Sequence, residues 1–445
     1  MGAIEAANVI ADNSKLKVSI LEATSNPLNK VKISGGGRCN VMQDATKSAR
    51  LITEGYPRGR KPLIGLLESF GPSQTYQWFD NHGVQLKTEP DGRMFPITDK
   101  SQTIIDCLRQ LADTHSIAVE TRTRVEDIRV VQEEKEGGAG MLDDDDHFFE
   151  ITCKVPKMDG VVNDNNKLRR AASDIRKIRC DYVLLATGSY RPAYQWAKRL
   201  GHAIEPPVPS LFTFETKDDH SFSASSFKSL AGISVEDVDL KLREYKLSDR
   251  GPVLFTHSGL SGPAILRLSA FGARYLHDSK YKGTLIINWL ASIGVSNQEE
   301  AKKTLEKVKG EQRGKKLIGT YCPLGSTTTS SSSSILPKRL WGLLLDQAAI
   351  PKSKQWSEIS KKEMQRLSQI LTSHTIKVTG KGTFKDEFVT CGGISLKNVN
   401  TKTLQSKIVS RLFFAGEILD IDGITGGYNF QSAWSTKFAL GKLFG

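Results

Sequence analysis

Leu412-Phe413-Phe414-Ala415-Gly416-Glu417-Ile418-Leu419-Asp420, continued by Gly426-Gly427-Tyr428-Asn429, is the stretch that decides the fold. Its apolar start reads as a buried strand. Gly416 then permits a sharp turn and Glu417 puts a carboxylate at the strand end. The glycine pair Gly426-Gly427 ends the loop, and the periodic run to Phe444 predicts a closing helix that begins at Tyr428 and Asn429. Such a helix start offers free N–H groups and partial positive charge to an electron-rich ligand.

Three more segments carry the same kind of chemistry. Lys32-Ile33-Ser34-Gly35-Gly36-Gly37-Arg38-Cys39-Asn40 holds three consecutive glycines, whose backbone N–H groups can approach a ligand unobstructed. Arg38 supplies a charge-assisted fork for a phosphate and Asn40 a directional amide. Tyr182-Val183-Leu184-Leu185-Ala186-Thr187-Gly188 is a hydrophobic strand running into small residues, past which a flat cofactor can lie. Near the start, Ile4, Ala7, Ile10 and Ala11 predict a helix over Gly2–Asn13. A strand over Lys17–Leu21 then ends in Glu22. That is the αβ half of a dinucleotide-binding βαβ unit, with Glu22 placed for the adenosine ribose hydroxyls. Segments at opposite ends of the chain can meet one cofactor only if the chain returns to its first domain.

Between them the character changes at Pro206, Pro207 and Pro209. Residues 62–83 and Thr103–His115 read as helices, Val119–Val131 as a hairpin or strand pair, and Cys180–Ala186 as a buried strand. A strand at Phe148–Val155 is flanked by polar surface loops over 133–146 and 157–177. Beyond the prolines, Leu211–Thr216, Val235–Leu242, Pro252–Thr256 and Thr284–Trp289 predict an antiparallel module. Residues 298–371 predict helices interrupted by a disordered Ser326–Ser334 tract, and Thr375–Val378 and Glu387–Thr390 return to strand. The fold class expected is α/β. A discontinuous dinucleotide-binding domain (1–205 and 390–445) is interrupted by an antiparallel β module (206–297, with return strands at 372–389) and a helical module (298–371).

These segments resemble the family of FAD proteins described as aminoacetone-oxidase-like or bile-acid dehydro-reductase-like oxidoreductases, whose cofactor domain is Rossmann-type. The resemblance runs through Lys32–Asn40, Arg93-Met94-Phe95-Pro96, Ala186–Gly188, Gly201-His202, Leu254–Pro263 and Val389–Ile394, and is most specific over Phe414–Ala433. It implies FAD as cofactor, NAD(P)H as a candidate electron donor and a small organic molecule as substrate. Glu22 would bind the adenosine ribose, Lys32 and Gly36, Gly37, Arg38, Cys39 and Asn40 the central and flavin-side parts, and Val125 the adenine. Gly416, Glu417 and Asp420 would follow the pyrophosphate and ribityl chain, with Gly426, Gly427, Tyr428 and Asn429 at the isoalloxazine edge and Ala186, Thr187 and Gly188 close by. His257 is a weak acid/base candidate, and Cys39 reads as a packing residue. The family opens with a strand and a GxGxxG turn, whereas Met1-Gly2-Ala3-Ile4 aligns inside the first helix. That departure predicts weak FAD binding by the chain as given, and leaves a non-catalytic truncated isoform or fragment as one alternative.

Composition bounds the rest. In 445 residues, 38% are hydrophobic and 25% charged, and no apolar run approaches the ~20 residues of a membrane span. Cys39, Cys107, Cys153, Cys180, Cys322 and Cys391 are scattered, with no CxxC and no zinc spacing, which argues against a disulfide framework or a metal site. A soluble protein of a reducing compartment is expected, in the cytoplasm or in a plastid or other organellar matrix. The net charge of +13 keeps an RNA-directed flavoprotein open as a second alternative. Lys and Arg are spread along the sequence without a dense stripe, and the cluster Lys302–Lys316 reads as a solvated helix face, so a nucleic-acid partner is not expected. Nothing in the sequence sets the oligomeric state.

Overall fold

The computed structural model describes residues 17–132, 147–156, 173–216, 228–311, 315–320, 322–324, 335–382 and 389–441. The helix expected over Gly2–Asn13, the loop over 133–146, most of 157–177 and the Ser326–Ser334 tract lie outside them. The chain divides into two compact units, residues 1–207 with 389–445, and residues 208–388.

In the first unit, β1 (Ser19–Leu21) leads through α1 (Asn29–Ile33) to β2 (Met42–Gln43) and α2 (Ala49–Thr53). The helix expected over 62–83 is two helices, α3 (Arg60–Ser69) and α4 (Pro72–Asn81). A Cβ on Gly71 would lie 2.4 Å from the Leu67 carbonyl oxygen, and Pro72 has no N–H to continue the ladder, so the chain breaks there. Next come β3 (Leu86–Thr88), β4 (Arg93–Pro96), α5 (Ser101–Thr114), β5 (Ala118–Glu120) and β6 (Arg124–Gln132). The expected Val119–Val131 hairpin does not form. β5 pairs in parallel with β1, Ser19 opposite Ala118, while β6 pairs antiparallel with β7 (His147–Pro156). β7 in turn pairs with β8 (Ser173–Cys180), so residues 173–177 are strand rather than loop. Their side chains are exposed, so no apolar alternation marked the strand. Cys180 closes β8, which confines the expected Cys180–Ala186 strand to β9 (Val183–Leu185). α6 (Arg191–Arg199) and β10 (Ile204–Ser210) follow.

The second unit is a seven-stranded antiparallel sheet with helices packed on it. Its elements are β11 (Phe214–Glu215), β12 (Ser234–Leu242), β13 (Leu247–Phe255), β14 (Gly259–Ser261), α7 (Pro263–Phe271), α8 (Ala273–Asp278), β15 (Gly283–Asn288), α9 (Gln298–Glu311), α10 (Lys338–Gln347), α11 (Lys361–Ser373), β16 (His374–Val378) and β17 (Gly380–Lys381). Strand and helix side chains share one core: Val238, Leu240, Phe255 and Trp289 from the sheet region, Leu305, Leu340, Trp341, Leu344 and Leu367 from the helices. The helical segment therefore covers the sheet within one unit, because neither element could bury its apolar face alone.

The chain then returns to the first unit through β18 (Val389–Ile394), β19 (Leu412–Phe414) and α12 (Tyr428–Gly441). β19 lies parallel to β9, Leu412 opposite Val183 and Phe414 opposite Leu185. Parallel pairing of strands so far apart in sequence requires a crossover, the mark of a βαβ-built domain.

Candidate cofactor site

The triple glycine forms a tight turn after α1. Gly35, Gly36 and Gly37 have φ of 56°, 69° and 86°, and Cys39 follows at 61°. Gly35 is required sterically, since a Cβ there would sit 2.8 Å from the Asn40 nitrogen. Gly36 and Gly37 differ: among the described residues a Cβ on either would meet nothing within 4 Å. Cys39 is fully buried and burial pushes its thiol up to about 11, so it packs and is no thiolate nucleophile. The Asn40 amide, oriented to satisfy both its ends, donates to the Met42 carbonyl and accepts from the Gly427 N–H, each at 3.1 Å. One side chain thus ties the glycine turn to the start of α12.

At that start, a Cβ on Gly427 (φ 88°) would come 2.5 Å from the Met42 carbonyl carbon. Tyr428 packs edge-on against Tyr56, whose hydroxyl donates to the Tyr428 carbonyl at 2.5 Å. Asn429 staples the preceding loop: its Oδ1 accepts from Gly423 N at 2.8 Å and its Nδ2 donates to Gly423 O at 3.0 Å. The same loop carries Asp422, wholly buried and paired with Arg58.

A second cluster forms where β19 and β9 end. Glu417 Oε1 accepts from Thr390 N at 3.0 Å and Oε2 from Lys30 Nζ at 2.8 Å. Gly188 (φ 59°) faces the same ion pair, and a Cβ there would lie 3.6 Å from Glu417 Oε2 and 3.5 Å from Lys30 Nζ. Two buried polar atoms near this strand end, Thr187 Oγ1 and Tyr194 Oη, have no hydrogen-bond partner among the described residues. Burial raises the Tyr194 hydroxyl above its ordinary value, helped by the negative charge of Glu417 and Asp420. Gly416 (φ 74°) donates its N–H to Thr436 Oγ1 at 2.9 Å, and Asp420 N donates to Ile394 O at 3.0 Å. Gly426 (φ 109°) abuts the Gln43 amide.

Other expected residues sit further out. Glu22 follows β1, where its Oε1 accepts from Thr24 N and Oγ1, both at 2.7 Å. Lys32 is exposed on α1, and Val125 lies on β6 opposite Cys153. The Arg38 fork is engaged within the protein: Nη1 donates to Glu89 at 2.6 Å and the guanidinium lies 4.0 Å from the centre of the Phe95 ring. A phosphate would have to compete with Glu89 for it. His257 is exposed at the tip of the Thr256–Gly259 turn, in the second unit, whereas every expected cofactor residue is in the first. Lys30, Tyr194 and the Arg58–Asp422 pair escaped sequence reasoning. Each is an ordinary residue in an unremarkable stretch, and only its spatial partner marks it.

Among the described residues no helix is long and apolar enough to cross a membrane. Residues 1–154 match the HI0933-like protein Rossmann domain, and residues 208–389 the HI0933-like protein barrel and H2TH domain. The chain is 24% identical to a 3-dehydro-bile acid delta(4,6)-reductase of Clostridium scindens, over 99% of this chain and 96% of that protein. It is also 24% identical to a ribosomal RNA dihydrouridine synthase of Escherichia coli, over 98% of this chain and 94% of that protein. A solved 3-ketosteroid delta1-dehydrogenase from Sterolibacterium denitrificans aligns with a TM-score of 0.44 at 11% identity, covering 99% of this chain and 97% of that one.

Proposed function

The chain belongs to the HI0933-like family, and from that premise we propose that it is an FAD-dependent oxidoreductase exchanging a hydride with a small organic substrate, with NAD(P)H as electron donor. The observation that carries the reading is the Asn40 bridge. It joins an open-faced glycine turn to a helix start from the other end of the chain. The residues fit the cofactor on three counts: the faces of Gly36 and Gly37 that no described residue covers, the buried oxygens of Thr187 and Tyr194 that have no partner among the described residues, and the free N–H groups expected where α12 begins.

FAD, when bound, supplies two-electron hydride chemistry at its flavin N5. The chain's own residues bind and orient. Glu22 would take the adenosine ribose, with Val125 at the adenine. Gly36, Gly37 and Asn40 would line the flavin side, with Lys32 and Arg38 adding positive charge. Gly416, Glu417 and Asp420 would follow the ribityl and pyrophosphate groups, and Ala186–Gly188 would leave room for the ring. Gly426–Asn429 would set the positive end of α12 against the ring edge that gains negative charge. Lys30, which holds Glu417 Oε2, would share that carboxylate with the ribityl hydroxyls.

A delta(4,6)-reductase and a dihydrouridine synthase both name reduction of a carbon–carbon double bond, so a double bond conjugated to a carbonyl is the substrate class to try first. A second reading, an RNA-directed flavoprotein, draws on the Escherichia coli relative and on 62 Lys and Arg against 49 Asp and Glu. The absorbance spectrum of the purified protein, followed by anaerobic titration with NADH and NADPH, tests the main reading. Flavin bands bleached by either nucleotide are expected. Because the chain as given is expected to bind FAD weakly, the titration is made with FAD in excess, and the absence of bleaching by either nucleotide overturns the reading.

A further inference from the structure

The sequence spreads its lysines, but the second unit gathers them. Between Gln298 and Leu371 there are fourteen Lys and Arg against seven Asp and Glu, a surplus of seven within a whole-chain net charge of +13. Two hydrogen bonds set how α9 passes α11. Gln298 Nε2 donates to Gln365 O at 3.0 Å, and Lys309 Nζ donates to Ile359 O at 2.9 Å. The C-terminal end of α9 therefore meets the approach to α11. Beside it, residues 316–319 run along 352–356: Ile318 N donates to Lys354 O at 2.9 Å, Gly319 N to Lys352 O at 3.0 Å and Trp356 N to Lys316 O at 3.1 Å.

One end of the helical layer thus collects Lys309, Lys315, Lys316, Lys352, Lys354, Lys361 and Lys362. Among side chains described there, the carboxylates are Asp346, Glu358 and Glu363. Two are already neutralised, Asp346 by Lys352 and Glu363 by Lys354, at 2.7 and 2.8 Å. Lys315, Lys316, Lys361 and Lys362 are exposed and have no ion pair or hydrogen bond from their side chains among the described residues.

We propose that this lysine-rich end of the α9–α11 layer is a docking surface for the phosphate backbone of a folded RNA. The inference deepens the RNA-directed reading and does not depend on bound flavin. Charge complementarity argues for a polyanion. Among the described residues the only large apolar side chain exposed there is Leu317, and Trp341 and Trp356 are buried. A bilayer surface would be held by several apolar anchors beside the charge, and single-stranded bases by exposed aromatic platforms. A surface of lysines alone suits phosphates presented by an RNA helix.

The test uses the full chain and a fluorescein-labelled hairpin RNA, with anisotropy read across a salt series. Two charge-matched quadruple variants are compared: Lys315, Lys316, Lys361 and Lys362 all to Ala, and as control the exposed lysines Lys241, Lys246, Lys280 and Lys282 of the same unit all to Ala. The first should weaken binding at low salt at least about tenfold and flatten the plot of log K against log salt by roughly 3, at most one phosphate contact per lysine. The control should follow the wild type. Unchanged thermal melts show that both variants fold. Equal losses in the two variants, or wild-type chain that binds phosphatidylserine vesicles but not the hairpin, would overturn the proposal. The flavin spectrum is recorded on the same samples, so failure of the flavoprotein reading is seen separately from failure of RNA docking.

Discussion

Gly36 and Gly427 both have positive φ, and their replacement by alanine should have opposite consequences. At Gly427, left-handed backbone costs a non-glycine residue about 1–2 kcal/mol. The new methyl would also press to 2.5 Å from the Met42 carbonyl carbon and 2.7 Å from its Cα and oxygen. Those are backbone atoms that cannot rotate away, and overpacking of this kind costs about 1–3 kcal/mol. If the turn shifts to relieve it, the 3.1 Å bond from Gly427 N to Asn40 is lost, for about 1 kcal/mol more. Gly427→Ala should therefore destabilise the protein by about 2–5 kcal/mol. Gly36→Ala carries the backbone term alone, about 1–2 kcal/mol, because its methyl meets nothing within 4 Å among the described residues. Yet that methyl enters the space assigned to the cofactor, so flavin occupancy should fall sharply in a protein that still folds. Urea unfolding of flavin-free protein measures the first effect, and the ratio of flavin to protein absorbance the second. Equal destabilisation by the two substitutions, or full flavin occupancy in Gly36→Ala, would refute the assignment of these glycines.

Three further outcomes are expected. Asp422→Asn removes the carboxylate that pairs with Arg58 at a fully buried position and should cost about 3–5 kcal/mol in urea unfolding, while Arg58→Met with Asp422→Leu should recover much of it; a loss under about 1 kcal/mol for the single variant, the scale of an exposed pair, would show that the pair is solvated. Hydrogen bonding from Lys354 holds the Glu363 carboxyl down to about 2, below its ordinary 4.5, so its stabilisation is complete above pH 4.5 and fades as pH falls toward 2. Glu363→Gln should flatten the acid limb of the stability curve over that window, and an unaltered limb would count against the pairing. Burial holds the His202 imidazole below its ordinary 6.5, with its ring between Ala197 O and Ser406 Oγ, so the unfolded chain takes up the proton first and stability should fall as pH drops below 6.5; a His202 resonance titrating at or above 6.5 by NMR would contradict this.

The strand, turn and helix at Leu412–Asn429 were legible in the sequence because each rests on local chemistry: an apolar run, a glycine at a turn, a helix after a glycine pair. So was the glycine turn at 35–37, and the change of character near Pro206. These features need no knowledge of distant residues. β8 was not legible, since an exposed strand has no apolar alternation to show. The need for glycine at position 71, where a Cβ would lie 2.4 Å from the Leu67 carbonyl oxygen, exists only once α3 is built.

Tertiary structure alone decided the pairings. Asn40 reads as a loose amide until Gly427 arrives beside it, and Lys30 as a surface charge until Glu417 does. Asp422 looks no different from Asp420 until Arg58 is brought to it. The lysines of α9 and α11 are scattered along the sequence and adjacent in space, because two hydrogen bonds set how the helices pass. Local backbone preference acts over a few residues and is written in the order of amino acids. Charge and hydrogen bonding act over a few ångströms in space, and chain order does not say which residues those ångströms will join.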